Sequence, residues 1–127
     1  MLHDVILFRL GDPPALVRDL DALESAVNRC RNAALYEGVD LVRQAVILAT
    51  AISQAQVFVE GNKRAGFAAA DVFLKINGLV CHGPPLSMAR HIEAVAEAER
   101  GAKRDAAIDQ FDEWLRVWVI ADDSFRP

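Results

Sequence analysis

Apolar residues recur at helical spacing along most of the chain, and the breaks between these runs are short. Leu2–Leu10 reads as the last turns of a helix, and Gly11-Asp12-Pro13-Pro14 cannot continue it, so the chain would begin within that element. Asp21-Ala22-Leu23-Glu24 has the form of a capping box. Leu23, Ala26, Val27 and Cys30 then share one face of a short helix running to about Ala34, separated from the next by Gly38. From Val39 to about Phe58 the apolar positions run nearly all round, with polar relief at Asp40, Arg43, Gln44 and Gln54, which predicts a central buried helix. A further helix is expected over Asn62–Asn77. It would be stopped by Asn77-Gly78, supported by an Asp71/Lys75 pair at i,i+4, and narrow enough at Ala68-Ala69-Ala70 for close packing. Beyond Gly83-Pro84-Pro85, Ser87 is expected to cap a helix through Glu99. Ile108, Phe111, Leu115 and Val119 place a last helix at Asp105–Ile120. No alternation persists long enough to predict a strand. The expected fold class is all-α, a compact helical bundle of about six helices forming a single domain over residues 1–127.

Composition narrows the function. The chain has 127 residues, enough for one domain with a real core, and 53% of them are apolar, which argues for a packed globule. A net charge of −4 leaves no general basic footprint for nucleic acid, so direct nucleic-acid binding is not expected and any anion must be held locally. Cys30 and Cys81 form no Cys-x-x-Cys pair, and nothing near the start resembles a secretion signal, so a reduced cytoplasm is the expected setting. No run approaches the ~20 apolar residues of a membrane-spanning helix. Trp114 and Trp118, four apart, read as packing residues. His3, His82 and His91 read as surface or capping residues, and Arg100, Lys103 and Arg104 as a solvated basic turn.

The chemistry concentrates at Glu60-Gly61-Asn62-Lys63-Arg64, where the helix from Asn62 begins. Lys63 and Arg64 stand in its first turn, against the positive end of the helix dipole, at a cost of roughly 0.3–1 kcal/mol each if nothing negative is near. Gly61 to Gly66 has the Gly-x-x-x-x-Gly spacing of a Walker A loop, but Phe67-Ala68 follow where that loop needs Lys and Ser or Thr. What remains is a different anion cradle: N–H groups at a helix start, a glycine that permits close approach, and two cations. Glu60 could hold a divalent metal bridging phosphates. The alternative is a solvated turn whose Lys63 and Arg64 pair with carboxylates elsewhere.

Gln56-Val57-Phe58-Val59-Glu60-Gly61-Asn62-Lys63-Arg64 resembles the signature loop of the Fic/Doc (Fido) family, His-x-Phe-x-Asp/Glu-Gly/Ala-Asn-Lys/Gly-Arg. Every position that the pattern fixes is matched except the first, and the Asn-Lys-Arg ending is similar to the Doc branch. Arg18-Asp19-Leu20-Asp21-Ala22-Leu23-Glu24-Ser25-Ala26 and Phe73-Leu74-Lys75-Ile76-Asn77-Gly78 are similar to further stretches of that branch. The resemblance implies the helical Fido fold and transfer of part of a nucleotide to a protein hydroxyl. For the Doc branch it implies a bacterial toxin that phosphorylates a threonine of elongation factor Tu from ATP, with Mg2+. By the same resemblance Gly61, Asn62, Lys63 and Arg64 would bind phosphate, Glu60 would hold magnesium, and Phe58 would anchor the loop in the core.

The departure is Gln56, which stands where the family has its general-base His. An amide has no pKa in the useful range, so an expected ~10²–10⁴ in rate is lost while phosphate binding is retained. The leading expectation is a Doc-like toxin with an impaired base. Its rivals are a catalytically dead Fido-fold module that binds nucleotide or partner, and an AMP-transferring Fic enzyme, the last less well matched because Lys63 stands where that branch has Gly. Part of the Fic family carries an internal Ser/Thr-x-x-x-Glu-Gly/Asn brake. Here Glu37-Gly38 and Glu60-Gly61 are preceded at that spacing by Ala33 and Gln56, so control is expected in trans. The resemblance implies a Phd-like antitoxin whose segment folds into an apolar groove walled by the first helix and the Asp21–Ala34 helix, on a protein that is a monomer when alone.

Overall fold

A helix with apolar side chains on almost every face has to be surrounded by protein, and Leu41–Ala55 is. In the computed structural model, which describes residues 20–55 and 62–122, the elements are α1 (Leu20–Asn32), a π-helical turn (Ala33–Glu37), α2 (Leu41–Ala55), α3 (Asn62–Ile76), β1 (Leu79–Cys81), α4 (Pro85–Glu97), α5 (Ala102–Trp118) and β2 (Val119–Ala121). Helix accounts for 80% of the described residues, so the fold class is all-α as the periodicity predicts. The expected Leu2–Leu10 helix and His3 lie outside the described residues.

α2 and α3 form the middle of the molecule. On one side α1 inserts Leu23, Ala26 and Cys30 against Leu48, Ala51 and Ile52 of α2 and Ala65 and Ala69 of α3. On the other, Ala45, Val46, Ala49, Ala70 and Leu74 meet Met88 and Ile92 of α4 and Phe111 and Leu115 of α5. Small residues allow α2 and α3 to come close. A Cβ placed on Gly66 would collide with the carbonyl oxygen of Ala49 and lie 3.3 Å from the Ser53 Cβ. That approach explains the Ala-rich seam, since Ala65, Ala69 and Ala70 are each fully buried.

The boundaries correct four expectations. Asp21 lies inside α1, so it is a first-turn residue and not the cap. The cap of α2 is Asp40, whose Oδ1 accepts the Arg43 N–H at 3.0 Å while its carbonyl accepts the Gln44 N–H at 2.9 Å. α4 begins with Pro85 at its first position, and Ser87 stands within the first turn, its own N–H bonded to the Pro84 carbonyl at 3.0 Å. The last helix stops at Trp118, where the chain turns extended and pairs antiparallel with β1, Leu79 opposite Ala121, Val80 opposite Ile120 and Cys81 opposite Val119. His82 and Asp122 extend this ladder, donating to Trp118 and Gly78 carbonyls at 2.9 and 2.8 Å.

The apolar face of α1 is occupied by the core, and its outward face carries Asp21, Glu24, Ser25, Asn28, Arg29 and Asn32. The expected first helix, Leu2–Leu10, the other expected wall of an antitoxin groove, lies outside the described residues. The basic turn is also less solvated than expected, because Arg104 donates to the Ala98 carbonyl at 2.8 Å and closes the end of α4. Lys103 lies 3.7 Å from Glu99 in an exposed pair. Among the described residues no helix is long and apolar enough to cross a membrane.

Candidate functional site

The first turn of α3 is fixed from below. Ala65 follows Arg64 directly and is fully buried, which pins the start of the helix to α1 and α2 while Lys63 and Arg64 project as exposed residues. Neither cation forms an ion pair with any described residue. Two cations, without an ion pair among the described residues, sit where an α-helix leaves its first N–H groups without intrahelical acceptors, and both features favour an anion.

Beside them lies a cleft of about 530 Å³. Lys63, Arg64 and Phe67 form its α3 wall, and Pro85, Leu86, Ala89 and Glu93 its α4 wall. The volume falls within the roughly 300–1,000 Å³ usual for small-molecule sites, and the lining joins an apolar floor to a few charged groups, as such sites do. The sequence pointed to Lys63 and Arg64 but not to the α4 wall. Leu86, Ala89 and Glu93 form a stripe at i, i+3, i+7 beside the buried stripe of Met88, Ile92 and Val95, and only the packing of α4 along α3 turns it toward the cations.

Gln56, Phe58, Glu60 and Gly61 lie outside the described residues, and Asn62 is described only as the first residue of α3. Among the described residues no group of three or more His, Cys, Asp or Glu could hold a metal ion.

A second charged cluster braces the fold. Arg116 bonds Asp112 at 2.5 Å and Asp40 at 2.6 and 2.9 Å, while Arg43 reaches Asp109 at 3.1 Å and Asp112 at 3.4 Å. The Arg116 guanidinium, helped by the Arg43 amide, holds the Asp40 carboxyl down at about 2, and the two aspartates in turn raise the pKa of Arg116. Asp112 is buried and satisfied on both oxygens, so this strut ties the cap of α2 to α5.

His91 is half-buried on α4. It stacks on Phe111 with ring centroids 5.6 Å apart and 10° between planes, and leans on Trp114 at 5.3 Å, where burial lowers its pKa. Trp114 packs against the core as its spacing predicts, and both tryptophans press on Gly83. Cys30 is buried, donates to the Gln44 carbonyl at 3.3 Å, and has its thiol pushed up to about 11 by burial. Cys81 is also free and raised by burial. Burial and a raised pKa both leave less thiolate at Cys30 than an exposed cysteine would have.

The central helix pair thus presents at one end two cations, with no ion pair among the described residues, on a cleft with an apolar wall. Residues 1–74, more than half of the chain, match the Fic/DOC family model, and the chain belongs to that family. No curated protein and no solved structure matches it.

Proposed function

We propose that this Fic/DOC family member binds ATP with Mg2+ at the start of α3 and acts, in the manner of the Doc branch, as a toxin that moves phosphate to a threonine or serine hydroxyl of elongation factor Tu. The observation that carries the reading is Lys63 and Arg64, without an ion pair among the described residues, on the cleft beside Phe67, Pro85 and Leu86. The two cations and the Gly61 and Asn62 amides would hold the phosphates, and Glu60 would hold the metal, which supplies charge neutralisation. The acceptor oxygen attacks the terminal phosphorus, the bond to the bridging oxygen breaks, and the nucleoside diphosphate leaves. The hydroxyl proton then needs an acceptor, and Gln56 cannot take it, so turnover is predicted to be slow.

Isothermal titration with ATP and Mg2+ tests the binding half. Lys63→Ala and Glu60→Ala should each weaken affinity by about 1.5–3 kcal/mol, the usual worth of a charge-assisted contact. Unchanged affinity in both variants removes the anion site. Gln56 itself favours a second reading, a binding module without turnover. Gln56→His assayed with labelled ATP and elongation factor Tu separates the two, since no gain of transfer leaves the binding module standing. The added mass on the target distinguishes phosphate from AMP.

Control in trans by a Phd-like antitoxin remains part of the proposal. A peptide from the antitoxin's C-terminus should raise the melting temperature by mass action, and no shift at peptide far in excess of the protein ends this model.

A further inference from the structure

The cleft at the start of α3 holds one carboxylate, Glu93, and its placement is unexplained by phosphate binding alone. Glu93 is exposed, forms no ion pair with any described residue, and stands more than 4.0 Å from the Lys63 and Arg64 charge centres that share its cleft. It also lies outside the residues that match the family, 1–74. Opposite charges placed in one cleft without meeting leave the space between them to a ligand that is anionic at one end and carries hydrogen-bond donors at the other. The wall from Leu86 through Ala89 to Glu93 is a stripe of one helix, roughly 10 Å long at 1.5 Å per residue. Its first part is apolar, and Phe67 faces it from α3.

The geometry points to Glu93 as the residue that selects the nucleoside end of the ligand, by accepting hydrogen bonds from a pair of donors while Lys63 and Arg64 hold the phosphates. A nucleotide has the required order: phosphates, then a flat body with apolar faces, with donor pairs on the ribose diol and on base edges. An ionised carboxylate is acceptor-only and takes two such donors side by side. Triphosphate without a nucleoside would touch the cations and ignore Glu93. The inference rests on the phosphate-binding reading above and adds to it a specificity residue on α4.

The test compares titrations of a ribonucleoside triphosphate and of inorganic tripolyphosphate, each with Mg2+, into the wild-type protein, Glu93→Gln and Glu97→Gln. Glu97 is exposed on the same helix and does not line the cleft, so its variant controls for charge alone. Glu93→Gln should weaken the nucleotide about tenfold or more, the worth of a hydrogen bond to a charged group, and leave tripolyphosphate unchanged. Glu97→Gln should change neither. If the loss disappears with 2′,3′-dideoxy nucleotides, the donors are the ribose diol; if it depends on the base across a panel of four, they are on the base. Equal nucleotide affinity in Glu93→Gln and wild type overturns the inference, as does an equal change for nucleotide and tripolyphosphate. Failure of both ligands to bind the wild-type protein would instead overturn the phosphate site on which it rests.

Discussion

Gly66→Ala sets two well-understood effects against each other at the seam between α2 and α3. In an exposed helix the change would be stabilising, since alanine is better than glycine by about 0.8–1.0 kcal/mol. At Gly66 the new methyl meets the Ala49 carbonyl oxygen, which is backbone and cannot be turned aside, and the Ser53 Cβ at 3.3 Å. Relief requires the helices to part by the better part of 1 Å, and overpacking of this kind costs about 1–3 kcal/mol. A gap of that size also forfeits roughly a quarter to a half of the dispersion attraction of the atoms along it. Those atoms belong to Ala65, Ala69 and Ala70, all fully buried on the same seam. The net expectation is a loss of about 1–2 kcal/mol, or a fall in melting temperature of about 4–8 °C at an unfolding entropy of roughly 2 cal/mol/K per residue. Urea denaturation followed by circular dichroism measures it. A midpoint equal to or above wild type would mean that the seam has slack, and the close-approach argument would be wrong.

Asp112→Ala should cost about 1–3 kcal/mol in the same denaturation experiment, because it leaves Arg43 and Arg116 facing a buried gap while each retains one partner and some solvent. The Asp40 carboxyl, held at about 2 when folded against 3.8 for an ordinary aspartate, contributes stability that is present above pH 3.8 and is lost as pH falls toward 2. Asp40 is 56% exposed, so solvent screening keeps that contribution below about 1 kcal/mol, and Asp40→Asn should flatten the acid limb of a stability–pH curve by no more than this. Cys30 should resist alkylation by iodoacetamide at pH 8 in the native protein and label only with global unfolding, as read by mass spectrometry; fast native labelling would contradict its burial.

Local signals carried much of the fold into view. The Asp71–Lys75 pair forms at 3.0 Å, and the Asn77-Gly78 stop is real, with Gly78 at φ 78. α2 reads as buried because no other environment suits its composition. The two strands escaped because each is three residues long and is created by pairing across the whole of α4 and α5, a relation no window of sequence contains. Val119 also continues the helical period of Ile108, Phe111 and Leu115, so the pattern alone overruns the end of α5. Pro85 outranked Ser87 because its fixed φ suits the first helical position and needs no side-chain cap. At the site, Lys63 and Arg64 were legible from the helix start, whereas Glu93 acquires its setting only from the crossing of two helices.

The pairing of β1 with β2 makes the stretch from His82 to Trp118 a loop clasped at both ends. The α4 wall of the cleft is therefore hung from the same clasp as α5 and cannot swing away from α3 by bending at one connection; opening the cleft means moving α4 and α5 as a pair or breaking the clasp. The order of synthesis adds a second consequence. α3 and its cations are made well before β2, so the clasp that fixes the α4 wall of the cleft depends on residues much further along the chain than the α3 wall does.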